Sequence, residues 1–227
     1  MNSLILLIYL AVFLYSVILH EIAHGFVAYK FGDDTAKVSG RLSLNPLVHL
    51  DFLGSIIVPL LLFMSQSSFL FGWAKPVPVN PYRLRGGRAS YRLVSAAGVL
   101  TNLSLVLISG LILKIATQSF HLPVANLGII FFGATFFINI ILAVFNSLPL
   151  PSFDGFNFLA TFDWLANLLR KTPLTNPLFM AQYGLFVSLI LLFILSPLIG
   201  RLILFILSWL TYFFGITPTI IGVLDLI

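Results

Sequence analysis

Two histidines four residues apart, with a glutamate beside the first, read His20-Glu21-Ile22-Ala23-His24 and form the pattern H-E-x-x-H inside an otherwise apolar run. On a helix, positions four apart lie about 40° from one another on one face, so both imidazoles can reach a single ion. Glu21, next to the first ligand, can then take a proton from a water on that metal instead of binding the metal itself. Zinc suits this chemistry because it brings the pKa of a bound water from about 15.7 towards ~7. Glu21 is the only glutamate among 227 residues. A bound cation also offsets the cost of burying its carboxylate in an apolar segment.

A catalytic zinc needs a third protein ligand and an open fourth position. Asp33, Asp34, Asp51, Asp163 and Asp225 sit at loop-like positions or near the C-terminus, and His121 links two apolar runs, so solvent exposure accounts for each. Asp154 differs. It lies in "NSLPLPSFDGF", where Pro149 and Pro151 end a helix, Gly155 permits a turn and Asn146 adds an amide to the last helical turns. Prolines that break a helix at membrane depth are tolerated only where the freed backbone faces protein or a wet cavity. The expected site is one Zn2+ per chain, held by His20, His24 and Asp154.

The elements that must position these residues are membrane helices. The chain is 59% hydrophobic and 8% charged with mean hydropathy +1.08, against about 25% charged residues in soluble domains. It has no cysteine, which excludes disulfides, thiolate ligands and a cysteine nucleophile. No basic n-region precedes the first apolar run, so that run reads as a retained helix rather than a signal peptide. The net charge of +5 falls between apolar segments, as membrane topology dictates, and not in a patch for nucleic acid. Apolar segments lie near 4–29, 52–71, 93–117, 124–148, 178–196 and 199–214, each near the ~20 residues a crossing needs. Between the first and third, "KVSGRLSLNPLVHLD" and "FGWAKPVPVNPYRLRGGR" carry the alternation, glycine and proline of extended chain.

Three motifs give the sequence a family resemblance: "HEIAH" at 20–24, "AGVLTN" at 97–102 and "NSLPLPSFDG" at 146–155. In this order they are similar to the HExxH, AGPxxN and NxxPxxxxDG signatures of the site-2 protease family of intramembrane zinc metalloproteases. The stretches "GRLSLNPLVHLD" and "FGWAKPVPVNP" resemble its compact branch without PDZ or CBS domains. The resemblance implies that His20, His24 and Asp154 bind zinc, that Glu21 activates the water, and that Asn146 assists near the substrate carbonyl. Val99 stands where the family usually has proline, and Ser147, Ser152 and Phe153 replace its leucine, proline and leucine.

The implied fold is an all-α polytopic membrane protein of about five to six transmembrane helices, with a re-entrant segment and a small membrane-associated β element. Residues 1–227 form a single membrane-embedded domain, with a core over 1–160 and additional C-terminal helices over 175–216. For Asp154 to meet the two histidines, the first and fourth apolar segments must run parallel. An even number of crossings then separates their ends, so 52–71 dips in and returns, as Gly54, Pro59 and "SQSS" permit. Its basic flanks, Lys30, Lys37 and Arg41 before it and Lys75, Arg83, Arg85, Arg88 and Arg92 after it, both fall in the cytoplasm by positive-inside bias. This places the N-terminus outside a prokaryotic cytoplasmic membrane and the site nearer the cytoplasmic face.

The expected partners are the lipid bilayer and a transmembrane protein substrate, locally unwound so that its amides leave their helical hydrogen bonds. The segments 36–46 and 72–80 are expected to pair with it by β-augmentation. Val77, Val79, Asn102 and Asn139 are the expected substrate contacts. A transporter would instead spread its buried ionisable groups over several helices. A zinc-stabilised scaffold would want a fourth protein ligand.

Overall fold

The computed structural model describes residues 3–65, 74–169, 172 and 176–226. Residues 66–73, which contain Trp73 and the end of the expected re-entrant element, lie outside the described residues. The helices are α1 (Ser3–Lys30), α2 (Thr35–Val38), α3 (Val58–Met64), α4 (Arg88–Gln118), α5 (Leu127–Ser147), α6 (Asp154–Leu159), α7 (Asp163–Leu169), α8 (Pro177–Phe214) and α9 (Thr217–Leu224). A 3-10 turn spans Pro46–His49, and a π-helical stretch, Phe52–Ile57, leads into α3. Among the described residues, four helices are long and apolar enough to cross a membrane: α1, α4, α5 and the Gln182–Phe214 part of α8.

Two expectations need correction. The apolar runs at 178–196 and 199–214 are one helix that continues through Pro197. Proline has no N–H for the carbonyl four residues back, that of Phe193. The Ser196 hydroxyl donates to this same carbonyl at 2.8 Å, so the group freed by proline stays satisfied in an apolar setting and the helix need not end. The β element is likewise not seen: no strand forms among the described residues. Thr35–Val38 is helical, and 74–80 is irregular chain whose Pro76 and Pro78 have no N–H to offer a ladder.

Three helices build the frame, and polar pairs fix their directions. Ser16 of α1 meets Asn139 of α5, while His20 and His24 meet Asp154, beyond the end of α5. Position rises along both helices together, so α1 and α5 are parallel. His20 meets Asn102 and His24 meets the carbonyl of Val94; position falls along α4 as it rises along α1, so α4 is antiparallel. The Arg85 amide donates to the Phe31 carbonyl at 2.7 Å, which returns the chain to the end of α1 before α4 begins.

Glycines set the closeness of this packing. A Cβ on Gly110 of α4 would lie 2.8 Å from Phe214 and 3.0 Å from Phe136, and one on Gly133 of α5 would lie 2.9 Å from Val223. With those gaps closed, Val106, Leu113, Ile129, Phe136 and Ile140 join Phe214, Ile216, Ile220 and Val223 in one buried cluster. Gly215, in the left-handed region at φ 70°, reverses the chain so that α9 folds back against α5.

Candidate metal centre

The two histidines point their Nε2 atoms at one carboxylate oxygen. His20 Nε2 and His24 Nε2 each lie 3.1 Å from Asp154 Oδ2, and 3.2 Å from one another. Donor atoms bound roughly 2.0–2.1 Å from a tetrahedral ion stand about 3.3 Å apart. The observed triangle therefore has the size that a single zinc requires, and among the described residues these three form the one group of its kind.

The tautomers can be read from the hydrogen bonds, starting at a carbonyl that can only accept. The Thr135 carbonyl takes a hydrogen bond from Asn139 Nδ2 at 2.8 Å. That assignment turns Asn139 Oδ1 towards Asn102 Nδ2, which donates to it at 3.1 Å. Asn102 Oδ1 is then left as the acceptor for His20 Nδ1 at 2.7 Å. On the other ring, His24 Nδ1 donates to the Val94 carbonyl at 2.7 Å. Both rings carry a proton on Nδ1, so in the neutral imidazoles both Nε2 atoms present bare lone pairs. Those lone pairs face a carboxylate oxygen, Asp154 Oδ2, that is buried with no hydrogen-bond donor. Three electron-rich atoms so arranged repel one another unless a cation lies between them, and the residues fit a zinc ion on this ground.

Local sequence explains the placement of each ligand. The histidines are one helical turn apart on α1, as their spacing predicts, and are 6% and 9% exposed. Gly98 of α4 lets the helices approach: a Cβ there would lie 2.4 Å from His20 Cε1 and from His24 Nε2. Asp154 opens α6 after a turn in which Ser152 adopts φ 70°. Proline, the residue expected at that position from the family resemblance, is locked near φ −65° and cannot take this conformation. Arg92 holds the far side of the turn, with its guanidinium 4.0 Å over the Phe162 ring and its Nε donating to Thr161 Oγ1 at 2.9 Å.

Glu21 accepts a hydrogen bond on Oε2 from the Val77 amide at 2.8 Å. The irregular residues 74–80 thus run beside the expected base. Val77 is 7% exposed, and its side chain fills the notch at Gly25, where a Cβ would lie 2.7 Å from Val77 Cγ1. Val79 packs with Ala28, Leu84 and Val94. Both valines turn inward to α1 and α4. Asn146 is partly buried on the last turn of α5 and donates to the Leu142 carbonyl at 2.9 Å.

Asn102 and Asn139, expected as substrate contacts, are both 0% exposed, and their amides are spent on His20, Ser16 and each other. Burial behind the ligand leaves them no face for substrate; they orient His20. The close approach at Gly98 and the burial of the loop residues Asp33 and Arg41 were not foreseen. Asp33, expected to be exposed, is 0% exposed: it accepts from the Asn80 amide at 2.6 Å and from the Thr35 amide and hydroxyl. Burial alone would raise its pKa, but these hydrogen bonds outweigh burial and hold it below the usual carboxylate value.

Comparison with known proteins agrees with this chemistry. The chain is 40% identical over 148 residues to "Putative zinc metalloprotease YwhC" of Bacillus subtilis, a match covering 63% of this chain and 64% of that one. It is 28% identical over 224 residues to "Putative zinc metalloprotease Rip2" of Mycolicibacterium smegmatis, covering 96% and 78%. To the protein of the same name from Mycobacterium tuberculosis it is 32% identical over 149 residues, covering 65% and 54%. The chain therefore spans just under two thirds of the Bacillus relative and about half of the Mycobacterium tuberculosis one. No family model and no solved structure matches it.

Proposed function

We propose that this chain is a member of the site-2 protease family, an intramembrane zinc metalloprotease that hydrolyses peptide bonds in or near transmembrane segments of other membrane proteins. The observation that carries the reading is the triangle of His20 Nε2, His24 Nε2 and Asp154 Oδ2 with Glu21 beside the first ligand. A zinc ion held by His20, His24 and Asp154 would supply the Lewis acidity that lowers the pKa of a water and polarises a carbonyl. Asn102 and the Val94 carbonyl keep the imidazoles in the ligating tautomer. Glu21, steadied on Oε2 by the Val77 amide, takes the water's proton on its other oxygen and passes it to the departing amide nitrogen as the C–N bond breaks. Asn146 assists at the substrate carbonyl.

A substrate helix must unwind locally before a carbonyl can be attacked, and the unwound strand is presented beside 74–80, the irregular segment next to Glu21. The described part of the expected re-entrant element is too short to cross. The helical part that is described, 52–64, rises about 20 Å against the ~30 Å of a bilayer core, and the return of Arg85 to Phe31 supports the same path. The basic residues on both flanks favour a cytoplasmic position for this end of the molecule, in a prokaryotic inner membrane.

The test is cleavage of a reporter single-pass membrane substrate by purified protein, comparing wild type with Glu21→Gln. Loss of cleavage in the variant with about one zinc retained per chain is the expected result. Cleavage by Glu21→Gln at the wild-type rate overturns the assignment of the base.

A further inference from the structure

Arg41 is a buried cation without a carboxylate. It is 6% exposed, and among the described residues no acidic side chain pairs with it. Its Nη2 instead donates to two successive main-chain carbonyls, that of Lys75 at 2.5 Å and that of Pro76 at 3.3 Å, while its Nε has no acceptor. Burying an arginine for two neutral acceptors is a poor stabilising arrangement, since a paired carboxylate would offset far more of the lost hydration. What the arrangement does fix is one peptide plane. The oxygen of the Pro76–Val77 peptide accepts from Arg41, and the N–H of the same peptide donates to Glu21 Oε2 at 2.8 Å. Pro76 and Pro78 have no N–H, so Val77 supplies the only backbone donor between 76 and 78.

We propose that Arg41 is a positioning residue for Glu21, acting through the Pro76–Val77 peptide. The proposal rests on the reading of Glu21 as the base. Arg41 holds the peptide by its oxygen, the Val77 side chain seats it in the notch at Gly25, and the amide hydrogen aims at the carboxylate. The carboxylate thereby keeps one orientation next to His20. Arginine suits the place because the two N–H bonds of Nη2 are fixed in the guanidinium plane and meet two adjacent carbonyls, where the ammonium of a lysine is a rotating point donor.

Three quantities test this on the full-length protein in detergent: kcat and KM on the reporter substrate, zinc per chain, and hydrogen exchange at the Val77 amide. Arg41→Met and Val77→Pro should each lower kcat by about 10- to 100-fold, the scale on which a misplaced catalytic group acts, with KM within about twofold and about one zinc retained. The double variant should be no slower than the slower single one, because both changes cut the same link. Arg41→Lys should recover part of the loss. Losses that multiply in the double variant, or an unchanged kcat in Arg41→Met, overturn the proposal. So does loss of zinc from both Arg41→Met and Arg41→Lys, which marks a role in folding. The exchange measurement needs no activity: protection of the Val77 amide should fall in Arg41→Lys and in Glu21→Ala alike, and unchanged protection in Arg41→Lys contradicts the link. If wild type cleaves nothing, the protease reading fails while the exchange result still decides what Arg41 holds.

Discussion

Asn102 Oδ1 stands 2.7 Å from Nδ1 of His20, and that single acceptor decides which nitrogen of the ring is free to bind a metal. The amide is itself set by Asn139, and Asn139 by the Thr135 carbonyl, so the tautomer of His20 on α1 is fixed by the backbone of α5. Removing an orienting partner of a metal-bound histidine typically costs 10- to 100-fold in metal affinity, roughly. Asn102→Ala is expected to weaken zinc binding by about that factor, read by chelator competition. Asn139→Ala, one step further away, should weaken it less.

Gly98 offers a steric test of the same site. Its Cβ would meet both imidazoles at 2.4–2.5 Å, so Gly98→Ala should lower zinc content and cleavage together. Gly110→Ala on the same helix would press on Phe214 and Phe136 instead. It should lower the melting temperature while about one zinc per chain remains, as metal analysis of the purified variants will show.

The turn before Asp154 carries its own prediction. A serine at φ 70° occupies a region that favours glycine. Ser152→Gly should therefore raise stability by about 0.5–1 kcal/mol and leave zinc binding intact. Ser152→Pro cannot keep the turn, and should displace Asp154 and reduce zinc content despite restoring the family's usual residue. Thermal unfolding with zinc analysis distinguishes these outcomes.

Asp33 supplies a pH dependence outside the membrane helices. Its folded-state pKa lies below the ordinary 3.8, so the ionised form is the one that folding favours. The resulting stability is fully present above the unfolded value, near pH 4, and is lost as the pH falls through the lower, folded value. Wild type should exceed Asp33→Asn in stability at neutral pH, and the gap should narrow only below about pH 4. Protease nicking near 74–80, the segment Asp33 holds through Asn80, gives a second readout.

How much of this could be seen in the sequence depended on whether spacing alone determines a neighbour. His20 and His24 are joined by one turn of one helix, and Asp154 stood out because two prolines stop α5 just before it. Parallel α1 and α5 followed from that pairing. Asn102 and Asn139 were visible as polar residues on apolar helices, but a helix face does not say which neighbour it meets, and substrate was assigned where His20 and Asn139 stand. Arg41 and Asp33 looked like loop charges set by topology. They are buried because the loop folds back onto α1, a tertiary event with no local signature. The runs 178–196 and 199–214 read as two segments because the rescue of the Phe193 carbonyl by Ser196 depends on a side-chain hydrogen bond that no propensity includes.

The account stands most directly on a titration of metal-free protein with Zn2+ while cleavage of the reporter substrate is followed. Activity is expected to rise to its limit at one equivalent per chain, and Asp154→Asn should lose both the binding and the cleavage. Full cleavage in the metal-free protein, or unweakened zinc binding by Asp154→Asn, would contradict a site built from His20, His24 and Asp154.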